Sequence, residues 1–408
     1  MGPGVAFIGD EEIAEVLDVL RARQLSSYSR NEQHPSKTDQ LERHIEDVFG
    51  VRHCIAMNSG TSALLAAWAA LGIGPGDEVL VPGYAFVASL AAISYAGATP
   101  VLVEIDDSLT LDPDDAERKI TPRTKAILAV HMLGEPCDMA RIGQIAARHE
   151  LSVVEDVAQA CGGSFAGRRL GTIARIGAFS LNVFKTITSG DGGLLTTHDR
   201  ALYGRAFAFH DHGYAPCRSD AIDCADSTNL LGLNLRMNEL GSAVALAQVR
   251  KLDAILQRLR ANKQAFVDVL RSWIDLPMRR SNDPTGECAT TISYIFPDSR
   301  LAHDVAAAIG TTTAIHTGKH YYGNMDEIIE RRTPSSRYPF ASSSSHDGAD
   351  YRRGALPATD DILSRTVHLS VGVSDGYLGT SFGLHPLATS ENIEHTAREF
   401  IDRTRGLL

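Results

Sequence analysis

The sequence predicts an α/β fold in which a largely parallel sheet is covered by helices on both faces. In the first two-thirds of the 408 residues, short apolar runs of strand character alternate with segments of helical periodicity. This alternation is typical of βαβ units, whose ligands lie beyond the carboxyl ends of the strands. The chain also exceeds the size at which one core usually stops growing, which predicts two domains, residues 1–250 and 251–408, around one cleft.

The individual elements are predicted in chain order. Residues 59–71 form a helix that opens on a turn of small residues. Strands are predicted at residues 78–81, 100–104, 126–130, 152–155, 178–180 and 193–197. The apolar spacing of residues 239–270 predicts one long helix that crosses between the domains. The remainder mixes short strands with helices, and its polar segment 333–354 is either a surface loop or a lid.

Composition and charge exclude several classes of protein. The hydrophobic fraction is 44%, the charged fraction is 22% and the net charge is −11, as in an ordinary globular protein. No run of Lys and Arg could follow a phosphate backbone, so nucleic acid is not an expected partner. The N-terminal residues have no basic segment before an apolar core, and no stretch reaches the roughly 18 apolar residues of a membrane helix, so we expect a cytoplasmic protein. Six scattered cysteines without CxxC spacing predict reduced thiols: Cys54, Cys137, Cys161, Cys217, Cys224 and Cys288.

Lys185 is the central candidate for chemistry. It lies five residues after the predicted strand at 178–180, in a loop with little helical character, and a Gly-rich turn leads on to the next strand. This position is at the mouth of the sheet, where burial lowers the pKa of an ammonium group and makes the amine a nucleophile toward an aldehyde. Taken alone, Lys185 would be interpreted as an ordinary surface cation, so the hypothesis depends on its neighbours.

Two polar residues of the run VVEDVAQ complement the lysine. Asp156 follows a buried strand about thirty residues before Lys185, where a carboxylate can pair with the ring nitrogen of a pyridine cofactor and keep it protonated. Gln159 lies one helical turn further on, on the same face, so its amide can reach a ring hydroxyl. A simple helix cap is the alternative explanation of Asp156.

The run NSGTSALLAA predicts an anion site. Small residues turn the chain into the start of a helix, where free N–H groups attract a phosphate and where Thr61 and Ser62 add hydroxyl donors. An N-cap without a ligand explains the same residues. In GYAFVAS, Phe86 follows the strand that ends near residue 81 and can stack on a flat heterocycle, with a core aromatic as the alternative.

Six motifs occur in order along the chain: NSGTSAL, VPGYAFVAS with AGATPVLVEID, TKAILAVHMLGEPCDM, VVEDVAQACGG, FSLNVFKTITSGDGG and LGLNLRMNELGSAVALAQVRKLD. In these motifs the sequence resembles the DegT/DnrJ/EryC1/StrS family of sugar aminotransferases, which are fold type I enzymes dependent on pyridoxal 5'-phosphate. The resemblance implies a large domain with a mostly parallel seven-stranded sheet flanked by helices, and a smaller C-terminal α+β domain. It also implies a homodimer with shared active sites.

The same resemblance implies roles for individual residues. Lys185 is expected to be the Schiff-base lysine, Asp156 the partner of the pyridinium nitrogen, and Gln159 a contact to the ring oxygen. Phe86 matches the aromatic residue that stacks on the cofactor ring. Gly60, Thr61 and Ser180 match residues that bind the phosphate, and Asn234 matches the asparagine that a second subunit contributes to it.

The expected reaction is a ping-pong transfer of an amino group from glutamate or glutamine to a keto sugar, in which Lys185 also carries a proton. The motif FHDHGYAPC, residues 209–217, resembles a subgroup that acts on eight-carbon keto sugars, including octulosonate transaminases, and a nucleotide-activated sugar is the other candidate acceptor. The segment SLNVFK departs from many relatives next to the lysine, which leaves the substrate contacts there open.

Other activities are possible on the same scaffold. A cyclitol aminotransferase and an aromatizing dehydratase similar to the aminohydroxybenzoate synthases both fit the motifs. The 3-dehydratase branch of the family carries histidine where Lys185 stands. A non-catalytic ligand-binding relative would be expected to lack Lys185 or Asp156, and both are present.

No metal site is expected. Imidazole and thiolate are good zinc ligands, but the spacing of these candidates fits no standard zinc pattern: His210, Asp211, His212, Cys217 and Cys224. The loop that contains them is expected either to face the substrate or a subunit interface, or to be plain structure.

Overall fold

The computed structural model describes residues 1–28, 34–214, 230–332 and 349–408. Its helices are α1 (Pro3–Ala6), α2 (Asp10–Ala22), α3 (Lys37–Phe49), α4 (Gly60–Leu71), α5 (Val87–Tyr95), α6 (Pro113–Arg118), α7 (Met139–Arg148), α8 (Arg200–His210), α9 (Glu239–Arg250), α10 (Leu252–Arg271), α11 (Ser299–Ile309), α12 (Asp326–Ile329), α13 (Pro357–Ser364) and α14 (Ser390–Thr404). Its strands are β1 (His53–Met57), β2 (Glu78–Pro82), β3 (Thr99–Val103), β4 (Thr124–Val130), β5 (Ser152–Asp156), β6 (Ser164–Phe165), β7 (Arg168–Arg169), β8 (Ile176–Ser180), β9 (Gly193–Thr197), β10 (Thr291–Ile295) and β11 (Thr366–Ser370). Within these ranges, no helix combines the length and the apolar character needed to cross a bilayer.

A seven-stranded sheet lies at the centre of the described chain, in the order β1-β9-β8-β5-β4-β2-β3. Its strands run parallel except β9, which pairs antiparallel with both β1 and β8. The predicted α/β fold with a mostly parallel sheet is therefore confirmed, and each predicted strand ends within about two residues of an observed one. Strand β1 was missed, because its sequence HCIAM contains a single β-branched residue.

Both faces of the sheet are buried. In β1, Cys54 and Ala56 belong to one hydrophobic core, while Ile55 and Met57 belong to another on the opposite face. Successive side chains of a strand point to opposite faces, so this division shows helices packed on both sides. The near-continuous apolar runs that predicted the strands follow from this double burial.

The predicted long helix is two helices. At Lys251 the backbone has φ −97° and ψ −3°, and α9 ends where α10 begins. The ammonium group of Lys251 pairs with Glu12 at 2.6 Å and donates to the carbonyl oxygen of Phe7 at 2.6 Å. Apolar residues keep a helical spacing on both sides of the break, so periodicity alone could not reveal it.

The C-terminal residues form a smaller unit around the antiparallel pair β10 and β11. Helices α10, α11 and α14 pack together there, and α11 also contacts β11. The division into domains at residue 250 stays a prediction, and most of the segment 333–354 lies outside the described residues.

Candidate active site

A cavity of about 610 Å3 lies beyond the carboxyl ends of the parallel strands. Seven of the nine predicted site residues line it: Gly60, Thr61, Phe86, Asp156, Gln159, Ser180 and Lys185. They lie at or just after the ends of four strands, β1, β2, β5 and β8, which is where a parallel sheet presents its loops. Ser62 and Asn234 are not part of the lining.

Lys185 enters the cavity from the loop between β8 and β9, which we call the lysine loop (residues 181–192). Its backbone N–H donates to the carbonyl oxygen of Asn182 at 3.0 Å, whereas its Nζ atom has no hydrogen bond or ion pair with any described residue. Burial lowers the pKa of the Lys185 ammonium, and the carboxylates of Asp156 and Asp375 oppose this shift. The amine is therefore easier to deprotonate than that of a surface lysine.

Asp156 is the last residue of β5 and is buried, with 4% of its surface exposed. Its Oδ2 atom accepts a hydrogen bond from Ser89 Oγ at 2.7 Å, and its Oδ1 atom accepts from the backbone N–H of Ala158 at 3.1 Å. The carboxylate is thus held in one orientation by two donors. Ser89 belongs to the same GYAFVAS motif as Phe86, and we had not predicted it as a site residue.

Gln159 faces the cavity with a fixed amide. Its Oε1 atom accepts a hydrogen bond from the backbone N–H of Leu133 at 2.9 Å. Because a backbone N–H can only donate, the amide oxygen must face Leu133, and the amide NH2 group is left to donate elsewhere. Leu133 itself has φ +57°, a left-handed conformation that is uncommon for leucine.

The start of α4 forms the floor of one end of the cavity. Ser59 caps the helix by accepting from the N–H of Ser62 at 3.1 Å, and Ser62 Oγ donates to Asn58 Oδ1 at 2.6 Å. Ser62 is therefore a buried part of the cap and is not in the cavity lining, so its direct contact with a phosphate stays a prediction. Gly60 leaves no room for a side chain, since a Cβ atom there would lie 2.8 Å from Ser180 Cβ.

Phe86 precedes α5, and its ring is 43% exposed at the cavity wall. The ring centroid lies 5.1 Å from that of His320, tilted by 44°. Burial, with a smaller contribution from the Lys185 ammonium, lowers the pKa of His320 to about 3, so the imidazole is neutral. Its Nδ1 atom is buried without a hydrogen-bond partner among the described residues.

Residues of the C-terminal part complete the lining. They are Thr290, Thr291, Lys319, His320, Val373, Asp375, Tyr377 and Leu378, none of which we predicted. No spacing or motif in the sequence links these residues to Lys185, because the folded chain brings them together across more than a hundred positions. Asp375 would have been the most accessible to prediction, as a carboxylate in the turn-forming run SDGYLG.

Asn234 lies outside the cavity of its own chain. It is exposed, and its backbone forms an isolated bridge with Asp211. This placement is compatible with a contact to a second subunit, which stays a prediction.

Two residues of the segment around His210 have partners within the chain, and the role of the segment stays a prediction. His210 Nδ1 bonds the carbonyl oxygen of Phe207 at 2.7 Å, and the Asp211 carboxylate pairs with Arg236 at 2.5 Å. No group of possible metal ligands occurs among the residues described. Cys217 and Cys224 lie outside them, whereas the four cysteines that the structure describes are buried, and their reduced state stays a prediction.

A model of the DegT/DnrJ/EryC1/StrS aminotransferase family matches residues 7–374 of the chain. The chain belongs to this family. Its members are fold type I enzymes that depend on pyridoxal phosphate, so the family and the cofactor predicted from the motifs are confirmed.

Individual aminotransferases of the family match to different extents. The L-glutamine:2-deoxy-scyllo-inosose aminotransferase of Streptomyces paromomycinus is 32% identical over 361 residues, which is 86% of this chain and 84% of that protein. The GDP-perosamine synthase of Caulobacter vibrioides is 41% identical over 215 residues, which is 52% of this chain and 56% of that protein. A crystal structure of 3-amino-5-hydroxybenzoic acid synthase superposes with a TM-score of 0.77 at 25% identity and covers 97% of both chains.

The residues of this aminotransferase fit pyridoxal phosphate. The cavity has the volume of a small-molecule site, which is typically ~300–1,000 Å3. It contains a buried carboxylate and, among the described residues, an amine without a polar partner and an amide whose NH2 group has none. At the other end, the first turn of α4 packs closely against Ser180 at Gly60, and the N–H groups at a helix start favour an anion.

Proposed function

We propose that the protein moves an amino group from glutamate or glutamine to a keto sugar or a keto cyclitol. The observation that carries this proposal is the cavity at the carboxyl ends of the strands, where the free amine of Lys185 and the buried carboxylate of Asp156 share one space. Family membership supports transamination, and the two residues are the ones that this chemistry needs.

Asp156 and Gln159 orient the cofactor ring in this proposal. Bound pyridoxal phosphate supplies the electron sink of the reaction. Asp156 pairs with the ring nitrogen, and the two donors on its oxygens keep the carboxylate turned toward it. Gln159 donates its NH2 group to the ring oxygen, because its own oxygen is occupied by Leu133. Phe86 covers one face of the ring.

Lys185 binds the cofactor through Nζ and later holds the migrating proton at the same atom. A base for this step needs a pKa closer to neutral than that of an exposed lysine. Burial lowers the pKa of Lys185 in the required direction. Because Nζ has no ion pair with the described residues, no partner has to be broken before the amine can act.

The acceptor is proposed from the relatives. The scyllo-inosose aminotransferase, whose printed substrate is a cyclitol, matches 86% of the chain, whereas the GDP-perosamine synthase matches 52%. A keto cyclitol is therefore a second candidate beside a nucleotide-activated or eight-carbon keto sugar. The cavity wall also carries Asn182, Asp191 and Asp375, whose oxygen atoms can accept hydrogen bonds from the hydroxyl groups of either acceptor class.

The test is a product assay with purified holoenzyme. Glutamate and glutamine are offered in turn with 2-deoxy-scyllo-inosose, nucleotide-activated keto sugars and eight-carbon keto sugars, and products are identified by mass spectrometry. We expect one acceptor class to gain nitrogen and a Lys185→Ala variant to form no product. If the protein binds pyridoxal phosphate but no acceptor gains nitrogen, transamination is wrong. Loss of water with formation of an aromatic ring would instead identify the aminohydroxybenzoate-type activity.

We also infer a homodimer. Helix α2 exposes three apolar side chains at helical spacing, Ile13, Leu17 and Leu20, which are 41–55% exposed. Leu231 and Leu233, beside Asn234, are also exposed. The segment after α2 lies near Asn234, since the guanidinium group of Arg236 lies 4.6 Å from the ring centroid of Tyr28. A second copy of the chain on this apolar surface would bring Asn234 toward the partner's cavity.

A further inference from the structure

Residues 1–4, which we call the N-terminal strap, lie against the lysine loop. The N–H of Gly2 donates to the carbonyl oxygen of Val183 at 2.8 Å, and the N–H of Gly4 donates to that of Lys185 at 3.3 Å. On its other side, the carbonyl oxygen of Met1 accepts from the N–H of Ser374 at 3.0 Å. The strap thus joins the loop that carries Lys185 to the segment that precedes Asp375, and both residues line the cavity.

The contact between the strap and the lysine loop is backbone against backbone. A Cβ atom on Gly2 would lie 2.2 Å from the carbonyl carbon of Phe184 and 2.6 Å from the backbone nitrogen of Lys185. A Cβ atom on Gly4 would lie 2.8 Å from the backbone nitrogen of Thr188. Neither position can accept a side chain without displacing the backbone of the loop. The clashing atoms belong to the backbone, so a change of side-chain rotamer cannot relieve the clash.

Helix α2, which follows the strap, is linked to the same loop through the side chain of Gln248. Gln248 Nε2 donates to Glu12 Oε1 at 2.7 Å, and Gln248 Oε1 accepts from the N–H of Thr188 at 3.4 Å. Glu12 is 3% exposed and also pairs with Lys251. Gly2 and Gly4 therefore contact the lysine loop directly, whereas Glu12 is linked to that loop through Gln248.

We propose that the N-terminal strap is a positioning element for Lys185, which fixes the lysine loop relative to the Asp375 segment across the cavity. Nζ of Lys185 has no polar partner among the described residues, so the place of the amine depends on its backbone, and the strap bonds that backbone directly. This inference rests on the proposed role of Lys185. A displacement of about 1 Å at a reacting group can cost about 100-fold in rate.

Two variants test the strap. Gly2→Ala pushes the loop away, and deletion of residues 2–4 removes the support without introducing a clash. The matched control is Gly143→Ala, at a position of α7 where no atom lies within 4 Å of the added carbon. Measured quantities are the Kd of the apoprotein for pyridoxal phosphate, the visible circular dichroism of the loaded protein, and kcat and KM for reaction with glutamate or glutamine in single turnover.

For both strap variants we expect kcat to fall by about tenfold to 100-fold. The visible circular dichroism should change and the Kd for pyridoxal phosphate should rise, while the control matches the wild type. Wild-type kcat and dichroism in the deletion variant would overturn the proposal, even if Gly2→Ala is inactive. These readouts need no acceptor, so the strap can fail while the proposed transamination holds, and Lys185→Ala reports on the latter separately.

Hydrogen exchange of the unmodified protein gives a test that does not depend on variants. If the strap holds the loop, the amides of Gly2 and Gly4, which donate to carbonyl oxygens of the lysine loop, exchange at similarly slow rates, because the same opening event exposes them. Fast exchange at Gly2 and Gly4 would contradict the proposal.

Discussion

Ser89 governs how Asp156 is presented to the cavity. Its hydroxyl group donates to Oδ2 of Asp156 at 2.7 Å, in surroundings from which water is largely excluded. Hydrogen bonds to a charged group contribute ~1.5–3 kcal/mol, more than bonds between neutral groups. Removal of this donor lets the carboxylate turn and leaves one oxygen without a partner.

We therefore expect Ser89→Ala to lower kcat by about tenfold or more, measured in single turnover with the amino donor. The melting temperature of the variant should stay close to that of the wild type. Ser94→Ala is the matched control, since Ser94 lies on the same helix and its buried hydroxyl has no hydrogen-bond partner in the described chain. Equal kinetics of the two variants would show that Ser89 does not orient Asp156.

His320 makes the apoprotein sensitive to acid. Burial lowers the pKa of His320 to about 3, so between about pH 6.5 and 3 the unfolded chain binds a proton that the folded protein does not. The contribution of His320 to the free energy of unfolding is therefore fully present above pH 6.5. It decreases as the pH falls, by up to about 1.4 kcal/mol per pH unit. His368, whose pKa burial also lowers to about 3, adds to the same slope.

His320→Gln should reduce the dependence of the free energy of unfolding on pH between about 6.5 and 4, measured by urea denaturation of the apoprotein. His303→Gln, at an exposed position of α11, serves as control and should leave the dependence unchanged. An identical slope in His320→Gln and the wild type would mean that the folded protein already protonates this imidazole.

At the level of elements, the first turn of α4 is pressed against the end of β8. A Cβ atom at residue 60 would lie 2.8 Å from Ser180 Cβ and 3.1 Å from the carbonyl oxygen of Phe179. Gly60→Ala should move the helix start away from Ser180 and separate the donors that we assign to the phosphate.

For Gly60→Ala we expect the affinity for pyridoxal phosphate to fall about tenfold or more, measured by absorbance titration of the apoprotein. Gly74→Ala is a suitable control, because the nearest atom to its added carbon lies 3.6 Å away. Unchanged affinity in Gly60→Ala would place the anion elsewhere.

The sequence predicted most of the sheet because its central strands are buried on both faces and read as apolar runs. Strand β1 was not predicted, because its sequence has a weak β-propensity and the strand is stabilised by pairing with β9. The paired residues are at least 136 positions apart in sequence, the separation of Met57 and Gly193. The break at Lys251 escaped as well. Apolar residues keep a helical spacing on both sides of it, and no local pattern encodes the contact of Lys251 with Glu12.

At the level of the whole molecule, the site residues that were predicted from the sequence are those that end or closely follow strands of the large sheet. Lys185, Asp156 and Gln159 belong to local runs with recognisable chemistry. His320, Asp375 and Ser89 needed the folded structure, because their relevance arises from tertiary neighbours: Lys185, the N-terminal strap and Asp156, respectively. Roles of these residues toward bound molecules stay predictions until the variants are measured.

The proposed dimer has a test that requires both subunits in one experiment. If Asn234 serves the partner's cavity, a mixture of Lys185→Ala and Asn234→Ala proteins forms hybrids with one intact site, and activity returns to about a quarter of the wild type. If Asn234 serves its own chain, no hybrid site is intact and the mixture stays inactive. The hybrids are formed by unfolding the two variants and refolding them as a mixture. Each variant taken alone through the same procedure is the control.

Strand β9, which runs antiparallel to the other strands of the seven-stranded sheet, has a consequence for the order of folding. Because β9 returns beside β8, residues 181–192 close a short arch without a helical crossover. Contacts at small sequence separation close early, whereas the neighbours of Lys185 at residues 86, 156 and 320 must arrive over longer distances. During refolding, acquisition of pyridoxal phosphate should therefore report the late docking of remote segments, after the arch itself has formed.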